Sequence, residues 1–316
     1  MKWIDKLKVF LYGFRTLNNE IKISENREFE NNRIASELMR NTHSMEKGMS
    51  IANPRLGYGH KIQLEMMRRI TELQKYSDSV YYREVIHMSL DSLNSYIEYH
   101  DARGFTDEVI EQIRCFLKKY DYKNDGSFGG SISLKKEELV FDTNEIENFF
   151  NSRHSVREFD DSDVLDEDIF KALKLAQRAP SACNRQGVRA YVLSKERSRE
   201  LARSLDGIGG FAESVNRFVL ITGKISSYRA DESRQFIVSS SIYAAYLSLT
   251  LHLYGMGACI VQRPLIWNKE WNTLRDKFKI EEDEQLVLLL AVGNLKEESR
   301  VPVSHRVDSD AMFKFI

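Results

Sequence analysis

The chain has 316 residues, 42% of them hydrophobic, and sets 46 Lys and Arg against 47 Asp and Glu for a net charge of -1. That length can bury one large core or two ordinary ones, and a field so near neutral excludes general attraction to nucleic acid or to an anionic bilayer. Four prolines and a 29% charged fraction exclude fibrous and disordered classes.

Residues 1–17 place Trp3, Ile4, Leu7, Phe10, Leu11 and Phe14 at helical spacing among Lys2, Lys6, Lys8 and Arg15. Such a basic amphipathic helix packs on its own protein or a second copy, or lies on a membrane surface. Ser24, followed by Arg27 and Glu28, opens a helix that runs to Lys47 and ends at Gly48, before a loop with Pro54, Gly57 and Gly59. Further helices are predicted near 60–76, 78–100 and 106–119. Residues 121–133, with Asn124-Asp125-Gly126-Ser127 and Gly129-Gly130, have linker chemistry. The chain therefore divides into an all-helical region, 1–133, and a second domain, 134–316.

The second domain alternates. Helices are predicted near 143–150, 166–178, 196–204, 233–254 and 268–277, and strands at 189–193, 218–222, 258–262 and 285–292. Most of the strands lack period-two alternation, so both sheet faces should be covered. The helix over 233–254 carries Ser239, Ser240, Ser241, Ala244 and Ala245 among large aliphatics. It should be buried against the sheet or an identical helix. No apolar run reaches the ~18–20 residues needed to span a bilayer, and no signal-peptide pattern opens the chain. The scattered Cys115, Cys183 and Cys259 form no C-x-x-C pair, which fits a reducing, cytoplasmic setting without structural zinc. No metal site is expected.

Two segments carry the chemistry. Arg153-His154-Ser155-Val156-Arg157-Glu158-Phe159 gathers two guanidiniums, an imidazole and a hydroxyl just before a helix. Ala179-Pro180-Ser181-Ala182-Cys183-Asn184-Arg185-Gln186 is a small-residue turn just after it. The first can hold a phosphate through charge-assisted hydrogen bonds worth roughly 1.5–3 kcal/mol each. The second can meet a flat hydrogen-bonding heterocycle. Taken alone, Arg153 and Arg157 could equally be solvated members of a charged run.

Together, in this order, the segments resemble the nitroreductase family of FMN-dependent oxidoreductases. There an R-[RH]-S-x-[RK]-x-[FY] segment precedes a helix and A-P-S-x-x-N-x-Q follows it. The resemblance covers about residues 145–316. It implies an α+β fold: a three-layer α/β/α sandwich with a mixed, mainly antiparallel sheet, here with an N-terminal helical extension. That extension is similar to one carried by some nitroreductase-like proteins of bacterial polysaccharide gene clusters. The resemblance further implies a homodimer with two FMN sites at its interface. Arg153 and Ser155 would contact phosphate with His154 beside them, and Arg157 would face the pyrimidine edge. Pro180, Ser181, Ala182 and Asn184 would come from the other protomer, and Gln186 would complete that motif. Arg306 sits where the family has a second phosphate-binding basic residue. The strand from Gly257 through Ile260 to Gln262 and Arg263 would pass its backbone by the flavin N5, so no catalytic side chain is required.

The chain departs from the family pattern at three places. Gln262 and Arg263 stand where glycines are common, so Arg263 either projects over the flavin toward an anionic substrate or turns to solvent. Gly187-Val188 replaces Pro-Trp after Gln186, which should alter packing behind the turn. Cys183 lies within the turn, where it is either a thiol nucleophile or a small packing residue. In the helical region, Asn41, His43, Glu46, Lys47 and Gly48 form either a capped helix end or a platform over the flavin. The implied activity is ping-pong reduction of a small organic acceptor by NADH or NADPH. The alternatives are a flavin-binding scaffold that docks a partner, and a specialised flavin dehydrogenase or dehalogenase.

Overall fold

The structure is a computed structural model that describes residues 3–120, 128–205, 207–262 and 269–316. The helical region contains α1 (Trp3–Glu25), α2 (Glu30–Met49), α3 (His60–Leu73), α4 (Val80–Asp101) and α5 (Glu108–Leu117). Ser24 does not open a helix. It closes the last turn of α1, its hydroxyl on the Ile21 carbonyl at 2.8 Å, while Asn26 caps the next turn by accepting from the Glu28 N–H. Gly48 does not end α2 either. It lies inside the helix because a Cβ there would come within 2.2 Å of the Tyr58 ring. The glycine lets that ring lie against the helix, and the Tyr58 hydroxyl donates to the Met45 carbonyl at 2.9 Å.

Leu38, Met66, Ile70, Leu90, Leu93, Tyr96 and Ile110 form the buried core of this region. Glu46 accepts from Ser92 Oγ at 2.8 Å and from the Gly130 N–H at 3.1 Å, and Asp91 accepts from the Phe128 N–H at 3.0 Å. The chain leaving the helical region is thus pinned back onto α2 and α4. Glu46 and its neighbour His43, 4.0 Å away, serve this junction.

The second domain contains α6 (Thr143–Ser152), α7 (Asp166–Ala176), β1 (Val188–Val192), α8 (Lys195–Ser204), β2 (Arg217–Lys224), α9 (Gln235–Leu253), β3 (Met256–Val261), α10 (Lys269–Phe278), β4 (Glu284–Asn294) and α11 (Ser309–Met312). The strands form one sheet in the order β1-β2-β4-β3, and every pairing among them is antiparallel. Among the described residues, a parallel bridge joins Ser155 and Ala258 at the β3 edge. Val219, Ile221, Leu288 and Leu290 face one layer, built with α7 and α9. Phe218, Leu220, Leu289 and Ala291 face the other, built with α8. This alternation covers both faces with apolar side chains and explains the continuous aliphatic strands.

Helix α9 packs against the sheet as expected and departs from expectation in one respect. It is long and apolar enough to cross a bilayer by length and composition, although no segment was expected to be. Its packing accounts for that character, since Phe236, Tyr243, Ala244, Leu247 and Leu251 are buried against the sheet layer. The opposite side is not buried: Val238, Ser241, Ala245, Tyr246 and Leu253 remain exposed.

The helical region attaches through α1, which packs against the turns at Ile225–Ser227 and Ala230–Glu232, and through α2, which packs against those at Ala182–Asn184 and Ile225–Ser227. Asn32 donates to Asp283 Oδ2 at 3.1 Å and accepts from the Tyr82 hydroxyl at 2.8 Å.

Candidate functional site

Residues 153–157 leave α6 in an extended conformation and run beside β3. The Val156 N–H donates to the Ala258 carbonyl at 3.1 Å. The parallel bridge sets direction: Arg153 lies near the start of β3 and Arg157 further along, toward Ile260 and Gln262. Arg153, His154 and Ser155 are half-buried and Arg157 is exposed.

A cavity of about 230 Å³ opens here, lined by Arg153, His154, Ser248, His252, Lys296 and Ser299 among others. Among the described residues, no carboxylate lines it. His252 bonds Ser152 Oγ at 2.8 Å, and burial, then the charges of Arg153 and His154, hold its pKa below the ordinary value. Ser299 Oγ is buried without a hydrogen-bond partner. An unpaired hydroxyl beside a cationic cavity is a donor awaiting an acceptor. Lys296 meets Glu158 at 3.4 Å. Cys259 is buried, and that burial pushes its thiol pKa up, against the pull of Arg157 and Arg153.

The turn after α7 is built differently. Cys183, Asn184 and Gln186 all have positive φ, at 52°, 54° and 48°. Each such non-glycine residue costs roughly 1–2 kcal/mol. Arg185, buried at the centre of the turn, offsets this. Its Nε donates to the Ala182 carbonyl at 3.1 Å, and its two terminal nitrogens grip Glu232 at 2.8 and 2.6 Å. Its guanidinium also lies 4.6 Å from the Tyr228 ring centroid. The Arg185 hydrogen bond, more than any other influence, brings the Glu232 pKa down to about 2. From within, the Gln186 N–H donates to Ser181 Oγ at 2.9 Å, and the Ala182 N–H to Ser239 Oγ at 3.4 Å. Gly187 explains the missing Pro-Trp: a Cβ there would lie 3.0 Å from Ser227 Cβ and 3.2 Å from the Tyr228 ring. The Ser227-Tyr228 loop and Arg185 brace the turn in place of an aromatic.

Among the described residues of one chain, these two segments border different cavities. Pro180, Ser181 and Gln186 line a separate one of about 620 Å³. Both cavities touch α9, the larger through Ser239 and Tyr243 and the smaller through Ser248 and His252. The nearest of these, Tyr243 and Ser248, are about 7.5 Å apart along the helix axis. Asn184 is exposed, Ala182 is half-buried, and Ile260 is 43% exposed on β3. Gln262, just past β3, is exposed, and Arg263 lies outside the described residues. Arg306 is exposed on the terminal arm with its guanidinium on the Ser304 carbonyl, and it does not line the smaller cavity.

Sequence reasoning missed Ser248, His252, Lys296, Ser299 and the Arg185–Glu232 pair. Arg185 sat in plain view inside the turn motif, but Glu232 lies 47 residues away in a charged loop with no periodic signal.

The nitroreductase family model matches residues 151–208, which take in the cradle, α7, the turn, β1 and α8. The chain carries a nitroreductase-family segment. No curated relative matches the chain. Among solved structures, it is similar to a putative nitroreductase in complex with FMN from Desulfovibrio desulfuricans, at 17% identity and a TM-score of 0.45, over 53% of this chain and 94% of that one. It is similar also to a putative nitroreductase from Bacillus subtilis, at 17% identity and a TM-score of 0.48, over 55% and 100%. A third is an FMN-dependent nitroreductase from Clostridium difficile, at 24% identity and a TM-score of 0.42, over 51% and 92%. With these TM-scores below 0.5, the likeness to solved structures carries no argument about function, and the family match is confined to residues 151–208.

Proposed function

We propose that the protein is an FMN-dependent oxidoreductase that takes electrons from NADH or NADPH, passes them to a small organic acceptor, and works as a cytoplasmic homodimer. The observation that carries this reading is the acid-free cavity at Arg153 and His154, with the orphaned Ser299 hydroxyl beside it. Its donor set fits a phosphate dianion: Arg153 supplies charge, Ser299 a free donor, and Lys296 a further cation. At about 230 Å³ it is smaller than the ~300–1,000 Å³ of a complete small-ligand pocket. It therefore suits the phosphate end of FMN, and the ring must lie outward along β3.

When bound, FMN supplies hydride acceptance and release at its ring. Arg157 lies on the side of β3 leading to Gln262, where a cation favours a reduced, anionic ring edge. The backbone after Val261 and around Gln262 and Arg263 would support the N5 side. Pro180, Ser181, Ala182 and Asn184, held by Arg185, would close over the ring from the second copy. Their backbone is preset, so little ordering remains to be done on binding.

The second copy is supported by what one chain leaves uncovered. The outer stripe of α9 is apolar and exposed, and α6 buries none of its residues although Ile146 and Phe150 are apolar. Val303, Val307, Met312 and Phe313 on the terminal arm are likewise exposed. A two-fold axis on α9 would set the turn of one copy against the cradle of the other.

The test is direct. Purified protein reconstituted with excess FMN should retain it at one per chain and bleach at roughly 450 nm on anaerobic addition of NADH or NADPH. Failure to retain FMN sinks the cofactor assignment; retention without bleaching leaves a flavin-binding protein and removes the nicotinamide-driven activity.

A further inference from the structure

The larger cavity, about 620 Å³, is lined outside the nitroreductase segment by Ser239 and Tyr243 of α9 and by one residue of the helical region. Tyr81, from the first turn of α4 in the helical region, lines it together with Arg189, Lys174 and the turn residues Pro180 and Ser181. The Arg189 guanidinium lies 4.9 Å from the Tyr81 ring centroid. We propose that Tyr81 and Arg189 form a selectivity wall for planar, anionic acceptors, so that the helical extension chooses the substrate. This rests on the reading that the turn borders a flavin.

Four features support it. The volume lies within the range of complete small-ligand pockets. Among the described residues, two cations and no carboxylate line it. Phe170 and Tyr243 add further aromatic surface. Finally, the wall is fixed in advance. The Tyr81 hydroxyl approaches Met39 Sδ at 3.7 Å, and its ring sits 5.5 Å from that of Tyr82. On Arg189, one terminal nitrogen donates to the Gln186 and Val188 carbonyls at 3.2 and 2.7 Å. Among the described residues, its Nε and other terminal nitrogen donate to nothing, which leaves a two-pronged edge of the kind that grips a carboxylate. The nearby Glu281 and Glu284 both feel the Arg189 charge, but each is hydrogen-bonded to other groups. Glu284 accepts from Thr222 at 2.5 Å and Tyr191 at 2.9 Å, and Glu281 meets Lys224 at 2.5 Å.

The experiment compares 4-nitrobenzoate with its neutral isostere 4-nitrobenzamide as ligands of the full-length holoprotein. Both are measured by calorimetry, and flavin content is recorded for each variant. The wild type should bind the carboxylate at least tenfold more tightly. Arg189→Gln should bring the ratio near one, Arg189→Lys should keep only part of it because an ammonium lacks the two-pronged edge, and Tyr81→Leu should weaken both ligands by roughly two- to fivefold through lost ring stacking. Flavin content should not change. Equal affinities in the wild type, or a ratio that survives Arg189→Gln, overturn the proposal. Loss of flavin in Arg189→Gln also overturns it, by making this pocket part of the cofactor site. Should the wild type retain no FMN, the oxidoreductase reading falls on its own. The carboxylate-to-amide ratio on the flavin-free chain then still decides whether the wall selects anions.

Discussion

Residues 153–157 lie extended beside β3 and present side chains to a cavity, whereas residues 181–186 are folded through three left-handed positions and gripped from behind by a buried ion pair. In the first segment the chemistry is in the side chains and the backbone merely spaces them. In the second the backbone shape is itself the feature, and the side chain that matters most, Arg185, points inward. The difference teaches that one half of the candidate site should fail gradually, by lost charge, and the other by loss of shape.

The sharpest way to break the comparison is to keep the halves apart. Ala245 is exposed on α9 in the single chain, so Ala245→Arg should cost the fold little. If the halves meet across α9, sedimentation should show a monomer, and FMN retention should fall below detection. A monomer that keeps FMN at wild-type affinity would mean the cradle acts alone. Next in size is removal of the cradle's charge. Arg153→Ala combined with Arg157→Ala should weaken FMN by at least about a hundredfold, taking roughly 1.5–3 kcal/mol for each charge-assisted bond. Flavin fluorescence titration reads this, and thermal stability should move little because both side chains reach solvent.

The turn should respond in the opposite sense. Glu232→Ala leaves the Arg185 guanidinium buried without its partner, at a cost of about 3 kcal/mol in urea unfolding. FMN affinity should fall only as far as the turn loosens. The same pair fixes a pH window. Glu232 titrates near 2 in the folded chain against an ordinary 4.5, so its contribution is complete above about pH 4.5 and disappears as the pH falls toward 2. The stability gap between wild type and Glu232→Gln should close over that interval. A gap that stays constant to pH 2 would show that the pair adds nothing.

The same contrast governs what could be read in advance. The strands and helices of the second domain were legible because aliphatic runs and helical spacing are local signals, and β4 was foreseen within two residues at each end. The cradle was legible for the same reason, since its charges are adjacent in sequence. The brace behind the turn was not, because an arginine between Asn184 and Gln186 looks solvent-bound until Glu232 and Tyr228 arrive from a distant loop. Gly48 misled because a glycine near a helix end reads as a stop, whereas here the Tyr58 ring requires its missing Cβ. Tyr81 carried no signal, because its part in the larger cavity depends on how α4 lies against the sheet domain.

The smallest effect tests whether the turn's shape or its thiol matters. Cys183 is half-buried at φ 52°, a conformation that glycine adopts without penalty. If the thiol is only a small packing group, Cys183→Gly should relieve local strain of roughly 1–2 kcal/mol. Part of that gain returns to the more flexible unfolded chain, about 0.4–1 kcal/mol. The net expectation is a chain of equal or slightly greater stability by urea unfolding, with unchanged FMN affinity and turnover. Were turnover to vanish while FMN stayed bound, the thiol would take part in the chemistry, and the turn would need to be reread as a reactive segment rather than a shaped wall.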